Sequence, residues 1–266
     1  MAEHKVLGAR HDEEAKRIAR LSRRDLFRAG MAFLAGAALP ELPYTLNPGQ
    51  ATAQSDPKRI YIAPDDHTDY LWTADENTYR NSFLRMLDYY LDLADTTEDL
   101  PSDFQSRWNC DGSFWLWTYE KNRTPAQFER LIARIRDGHI SAPLNALVVC
   151  LGGAPAEAVL RGMYYAGQLE RRYDLRFTIA VAMENQTLPL GLSSLWAGAG
   201  AQFSWKGVCG CDTRVSDLGR RQHEIYWYTG LDDSRVLMKW HSLVWNEAIG
   251  GYAEARHVAD VIEYVD

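Results

Sequence analysis

The sequence predicts an α/β domain with a largely parallel sheet and a β-hairpin near its C-terminal end. Three observations predict it. From Arg59 onward short apolar segments alternate with amphipathic ones, and the apolar segment comes first in each unit. Residues 145–151 and 177–183 are continuous apolar runs, as expected of strands covered on both faces. In order, residues 59–63 read as a strand ending at Pro64. Residues 77–94 read as a helix, with Phe83, Leu84, Leu87, Leu91 and Ala94 at helical spacing. Residues 114–119 read as a second strand with Trp115 and Trp117 on one face. Thr124 and Pro125 then supply a cap and a first-turn proline for a helix over 126–136, which Asp137 and Gly138 end. After the 145–151 strand, Gly152-Gly153 turns into a helix over 155–172. The 177–183 strand is followed by a short helix over 188–197 and a strand over 201–206. Residues 224–228 and 235–240 form the hairpin. This makes four or five β-α units, with no internal repeat.

The first 53 residues read differently. Ser22-Arg23-Arg24-Asp25-Leu26-Phe27 precedes an apolar stretch over 31–39, and Ala51-Thr52-Ala53 then offers a small-x-small cleavage pattern. An apolar run that short does not span a bilayer, which takes about 20 residues. The expectation is a twin-arginine signal over 1–53 and a mature domain over 54–266 beginning at Gln54. Such a protein would be periplasmic or secreted, with the translocase as a transient partner and no stable membrane span after cleavage.

Composition narrows the function classes. The 266 residues are 46% hydrophobic and 24% charged, a globular balance. Eight of the basic and six of the acidic residues lie in the first 53, so the remainder carries a formal charge of −9. An acidic body without a basic run lacks the footprint that nucleic-acid backbones require. Leu151-Gly152-Gly153 and Gly198-Ala199-Gly200 lack the lysine of a P-loop and the full dinucleotide fingerprint. Cys110, Cys150, Cys209 and Cys211 read as structural; Cys209 and Cys211 have no second pair to complete a four-sulfur cage.

The chemistry gathers just beyond the first strand, in Asp65-Asp66-His67-Thr68-Asp69-Tyr70-Leu71-Trp72. The carboxyl ends of strands are where α/β barrels carry their active sites. His67 and Asp69, two apart on an extended segment, project the same way and suit one divalent cation. A surface turn in which Asp65 or Asp66 caps the next segment is the bland alternative.

A strand followed by H-x-D-x-x-W resembles the start of the catalytic domain of family 38 glycoside hydrolases, the α-mannosidase family, and His67, Asp69 and Trp72 hold that spacing. Weaker likeness runs through the following helix, the Trp-rich second segment, and the hairpin stretch 230–239. The resemblance implies an irregular (β/α)7-type barrel, partial or short here. It implies zinc or another divalent cation on His67 and Asp69, Trp72 under the sugar, and a nucleophilic carboxylate at the end of a later buried strand. Glu184 stands in that place, where the family has aspartate, and the aromatic-Gly-His-Ser pattern that follows in the family is absent. Asp66, Asn185 and His241 are the further substrate-binding candidates. His241 or His139 would supply a third ligand, with Asp212 and Glu247 as reserves for proton transfer. Glu184 and Asn185 also suit the cap of a helix beginning near Thr187. Among the tryptophans, Trp205 and Trp227 are expected near strand ends, where one or two line a sugar site and the rest pack.

The function so expected is hydrolysis of α-linked glycans outside the cytoplasm by a metal-dependent glycosidase. The rivals are a non-catalytic carbohydrate-binding relative, a fragment of a longer glycosidase, and a metal-dependent deacetylase. The last lacks the H-x-x-x-H such enzymes supply.

Overall fold

A computed structural model describes residues 61–149, 151–182, 188–207, 225–244, 247–249 and 258–265. Helix α1 (Glu76–Thr97) forms where apolar residues recur every three or four positions, and it buries Phe83, Leu84, Leu87, Leu91 and Ala94. The Asp75 carboxylate caps it, accepting the Thr78 N–H at 2.8 Å. A two-residue strand β1 (Trp108–Asn109) leads into α2 (Ser113–Asn122), and α3 (Pro125–Arg136) follows behind a capping box between Thr124 and Gln127. Next come β2 (Ile140–Ser141), α4 (Ala156–Arg161), α5 (Tyr164–Tyr173) and β3 (Ile179–Val181). Then come α6 (Leu192–Gly198), β4 (Phe203–Lys206), β5 (Ile225–Thr229) and β6 (Arg235–Trp240). A small pair, β7 (Ser242–Val244) and β8 (Glu247–Ile249), and α7 (Val258–Val265) end the described chain.

Among the described residues the strands make three small sheets, yet hydrogen bonds carry one row of parallel segments across the first two. Asp65 bridges Asn109 in parallel, β1 pairs with β2, and the Leu144 N–H reaches Ile179 O at 2.9 Å. From there β3 pairs with β4 and β4 with β6, all parallel, while β5 lies antiparallel on the far side of β6. A buried asparagine completes the join. Asn145 accepts the Val181 N–H at 2.8 Å and donates to Val181 O at 3.1 Å, so its amide does the work of a strand's peptide group.

The core lies between this row and α1, α2, α3, α5 and α6, and aromatic rings fill much of it. Phe83 stacks on Trp115 with centroids 4.3 Å apart, and Tyr90 stacks on Trp108 at 4.5 Å. Such pairs add about 0.5–1.5 kcal/mol beyond the area they bury.

Several elements differ from expectation, each for a physical reason. Residues 114–119 are helical: an aromatic segment apolar all round its circumference shows no helical period, and its β-favouring residues read as a strand. Trp115 therefore enters the core while Trp117 faces outward, stacked on Phe114 and covered by Arg80. The first strand reduces to the single bridge at Asp65; Arg59 and Ile60 lie outside the described residues. The 145–151 run is a loop, its place beside β3 taken by Leu144 and the Asn145 side chain. The helix over 155–172 breaks at Gly162. The strand β1 escapes sequence reading because two residues carry no alternation. Trp205 lies one residue from the carboxyl end of β4, near a strand end as expected, whereas Trp227 is the middle residue of β5. The hairpin forms as expected. Its Gly230 N–H closes on Ser234 O at 2.8 Å. The barrel itself is not closed among the described residues; what they form is a mixed α/β domain with small sheets.

Candidate functional site

Because the segments of the row run parallel, their carboxyl ends share one edge. The first contributes Asp65 to Trp72, β1 contributes Asp111, β2 leads to Asn145, and β4 and β6 contribute Lys206 and His241.

At the first end His67 Nε2 lies 3.1 Å from Asp69 Oδ1, so the two expected ligands do converge. Both are partly open to solvent, whereas Thr68 between them is buried. Its N–H donates to Asp111 Oδ2 at 2.8 Å, and its hydroxyl accepts the Trp115 indole N–H at 3.1 Å. After Asp69 the chain turns sharply: the Trp72 N–H returns to Asp69 O at 2.9 Å, and Leu71 takes φ +65°, a left-handed conformation costly for a branched side chain. The Tyr79 hydroxyl, from α1, also donates to Asp69 O. This turn leaves Trp72 78% exposed, an open aromatic face beside the His67–Asp69 pair.

The surroundings are strongly acidic. Burial, together with the Asp111 charge, pushes Asp65 up to about 6, with His67 opposing the shift. Asp66 is also raised by burial. The Trp108 indole N–H sits beside it and partly offsets that, but falls short of hydrogen-bond geometry, so Asp66 Oδ2 and Trp108 Nε1 are buried without a hydrogen bond. Asp111 is 1% exposed and raised by burial, the His67 ring and the Thr68 N–H acting against it. Its second oxygen, Oδ1, has no hydrogen bond.

Sequence reasoning passes over Asp111, whose only signal is an Asp-Gly pair after an unrecognised strand. Gly112 explains how it is held. A Cβ there would fall 2.0 Å from Ala146 O and 2.9 Å from its carbonyl carbon, so only glycine lets the two backbones approach. The approach is closed by Ser113 N–H to Asn145 O and Phe114 N–H to Ala146 O, both 3.0 Å.

The other expected residues are distributed unevenly. His241 lies at the carboxyl end of β6; its N–H donates to Lys206 O at 2.9 Å, and its ring fills the space a side chain at Gly207 would need. Four segments separate it from His67 in the row, so it belongs to the far end. Lys206 is buried there, donating to Gly207 O at 2.7 Å over the Trp240 ring. His139 stands before β2, at the amino end of the row, beside Asp137 at 2.7 Å, and so is away from the candidate ligands. Glu184, Asn185 and Asp212 lie outside the described residues, as do Cys150, Cys209 and Cys211; Cys110 is buried and free. Among the described residues no three His, Cys, Asp or Glu side chains are grouped closely enough to hold a metal ion, and no helix is long and apolar enough to cross a membrane.

The chain matches no protein-family model and no curated protein sequence. Among solved structures it is similar to an α-mannosidase from Enterococcus faecalis V583, with a TM-score of 0.58 and 14% identity over 77% of this chain and 22% of that one. It is also similar to a protein in glycosyl hydrolase family 38 from Enterococcus faecalis, with a TM-score of 0.52 and 14% identity over 77% and 20% of the two chains. At this identity the likeness is one of fold, and the chain spans about a fifth of the length of each.

Proposed function

We propose that this chain is an exported, metal-dependent glycoside hydrolase of the α-mannosidase type, built on part of an irregular (β/α)7 barrel. The observation that carries the reading is the His67–Asp69 pair. An imidazole nitrogen and a carboxylate oxygen converge at 3.1 Å just past the first parallel segment, in a fold like that of family 38 α-mannosidases. Their chemistry suits two of the three or four donors of a zinc site, and Glu184, which follows β3 in the sequence, would supply another. Bound there, zinc would engage vicinal sugar hydroxyls. The exposed ring of Trp72 offers its face to the apolar C–H side of a sugar, with the half-buried Asp66 as a further candidate contact. The Glu184 carboxylate would attack the anomeric carbon, breaking its bond to the aglycone oxygen, which takes a proton as it leaves, and water would then hydrolyse the glycosyl ester to release the sugar and restore the carboxylate. Residues 1–53 direct the protein to the periplasm or medium.

The test is release of the aglycone from an activated aryl α-mannoside by the mature protein, with Glu184→Gln reducing the rate by several orders of magnitude and leaving the fold intact. Zinc content near one per chain, lost in His67→Ala and Asp69→Ala, accompanies it. Inertness toward a panel of α-glycosides combined with binding of mannose-rich glycan would replace the proposal with a binding function.

A further inference from the structure

We infer that Asp111 is the positioning residue of this site: through the Thr68 peptide it holds His67 and Asp69 on the same side of the chain. The inference rests on the proposed role of that pair. In an H-x-D segment the two outer side chains point the same way only while the middle peptide is held extended and cannot rotate. Thr68 is the one residue of the three that is buried, and it is fixed twice. Asp111 Oδ2 accepts its N–H at 2.8 Å, and the Trp115 indole donates to its hydroxyl at 3.1 Å. A carboxylate accepting a backbone N–H is among the stronger hydrogen bonds a protein makes. The holder is itself held, since Gly112 seats the loop against Ala146 and the Cys110 N–H donates to Ser141 O at 2.8 Å.

A second observation separates this from ordinary packing. Asp111 is 1% exposed, yet its Oδ1 makes no hydrogen bond. A buried oxygen left bare calls for a reason beyond filling space. His67 and Asp69, together with Asp65, act on this carboxyl through their charges, so it stands in the same electrostatic cluster as the residues it orients.

The experiment measures zinc affinity by chelator competition on the mature protein and on Asp111→Asn, Asp111→Leu and Asp111→Ala. Asparagine keeps a carbonyl for the Thr68 N–H and is expected to stay within about threefold of wild type. Leucine, which keeps the volume, and alanine are expected to weaken zinc binding roughly 10- to 100-fold, as loss of an orienting partner does. Lower melting temperatures with unchanged zinc affinity in the leucine and alanine variants would overturn the inference, since that is what a merely structural role produces.

If the wild type binds no zinc, the proposed role of the pair fails separately. The inference is then read from the nuclear magnetic resonance signals of the His67 ring, labelled with 15N. One sharp set is expected in wild type and Asp111→Asn, and shifted or broadened signals in Asp111→Leu and Asp111→Ala. Identical ring signals in all four proteins would overturn it.

Discussion

Replacing Gly112 with alanine tests how the site's loop is seated. The added methyl would meet Ala146 O at 2.0 Å, its carbonyl carbon at 2.9 Å and Leu147 Cα at 3.2 Å, and all three are backbone atoms that cannot swing aside. The φ of Gly112 is −168°, an extended value any residue adopts, so the whole effect is steric. Overpacking of this kind costs about 1–3 kcal/mol. Parting the two segments also lengthens the Ser113-to-Asn145 and Phe114-to-Ala146 hydrogen bonds, each worth about 0.5–1.5 kcal/mol net. Counting the overpacking and part of those two bonds gives about 3 kcal/mol. In a domain of roughly 200 residues, where each kcal/mol moves the midpoint about 2–4 °C, the melting temperature falls by about 6–12 °C. The assay is thermal unfolding followed by circular dichroism, with Gly153→Ala as the control because nothing lies within 4 Å of a Cβ there. A Gly112→Ala protein that melts within 1 °C of wild type would refute the close approach, and with it the account of how Asp111 is held.

Asn145→Leu should cost about 2–4 kcal/mol, because it strips a partner from both the N–H and the C=O of buried Val181; hydrogen exchange at the Val181 amide should accelerate while amides of α1 keep their protection. Stability should also fall on the acid side. Burial works to raise Asp88, but Arg123 and Tyr119 outweigh it and hold the carboxyl below its usual range, and Asp95 and Asp137 are likewise lowered by arginine and histidine neighbours. A lowered folded value means the contribution is complete above the ordinary carboxylate range, near pH 4, and is lost as pH falls through the folded values. Arg123→Met should therefore flatten the dependence of melting temperature on pH below about 4, by no more than ~1 kcal/mol since the pair is partly exposed; superimposable curves would contradict this. Replacing both Arg23 and Arg24 with lysine should leave precursor in the cytoplasm, and mature protein beginning near Gln54 in normal amount would speak against the signal.

Legibility in the sequence followed how local the determining physics was. All five expected core positions of α1 are buried, and Thr124-Pro125 caps α3, because period and capping are set within a few residues. The hairpin was legible for the same reason. The aromatic run 113–122 was not, since apolar residues on more than one face erase the period, and only its neighbours decide that it is a helix. Nor was the loop at 145–149, which borrows its hydrogen bonding from a side chain. At the site, the convergence of His67 and Asp69 follows from alternation along the chain. Asp111 reaches Thr68 across 43 positions, and no spacing rule reports such a contact.

The row of parallel segments grows in chain order up to β4, each new segment docking on the one just made. Then the order reverses: β5 precedes β6 in the chain but lies beyond it, with β6 between β5 and β4. During synthesis, therefore, the first five segments can assemble as they emerge, each closing a modest loop, whereas β5 has no surface to join until β6 has been made. β6, and the His241 that follows it, can dock directly on β4 once made, and only β5 waits: its place in the row depends on the turn at Gly230 to Ser234 folding it back onto β6.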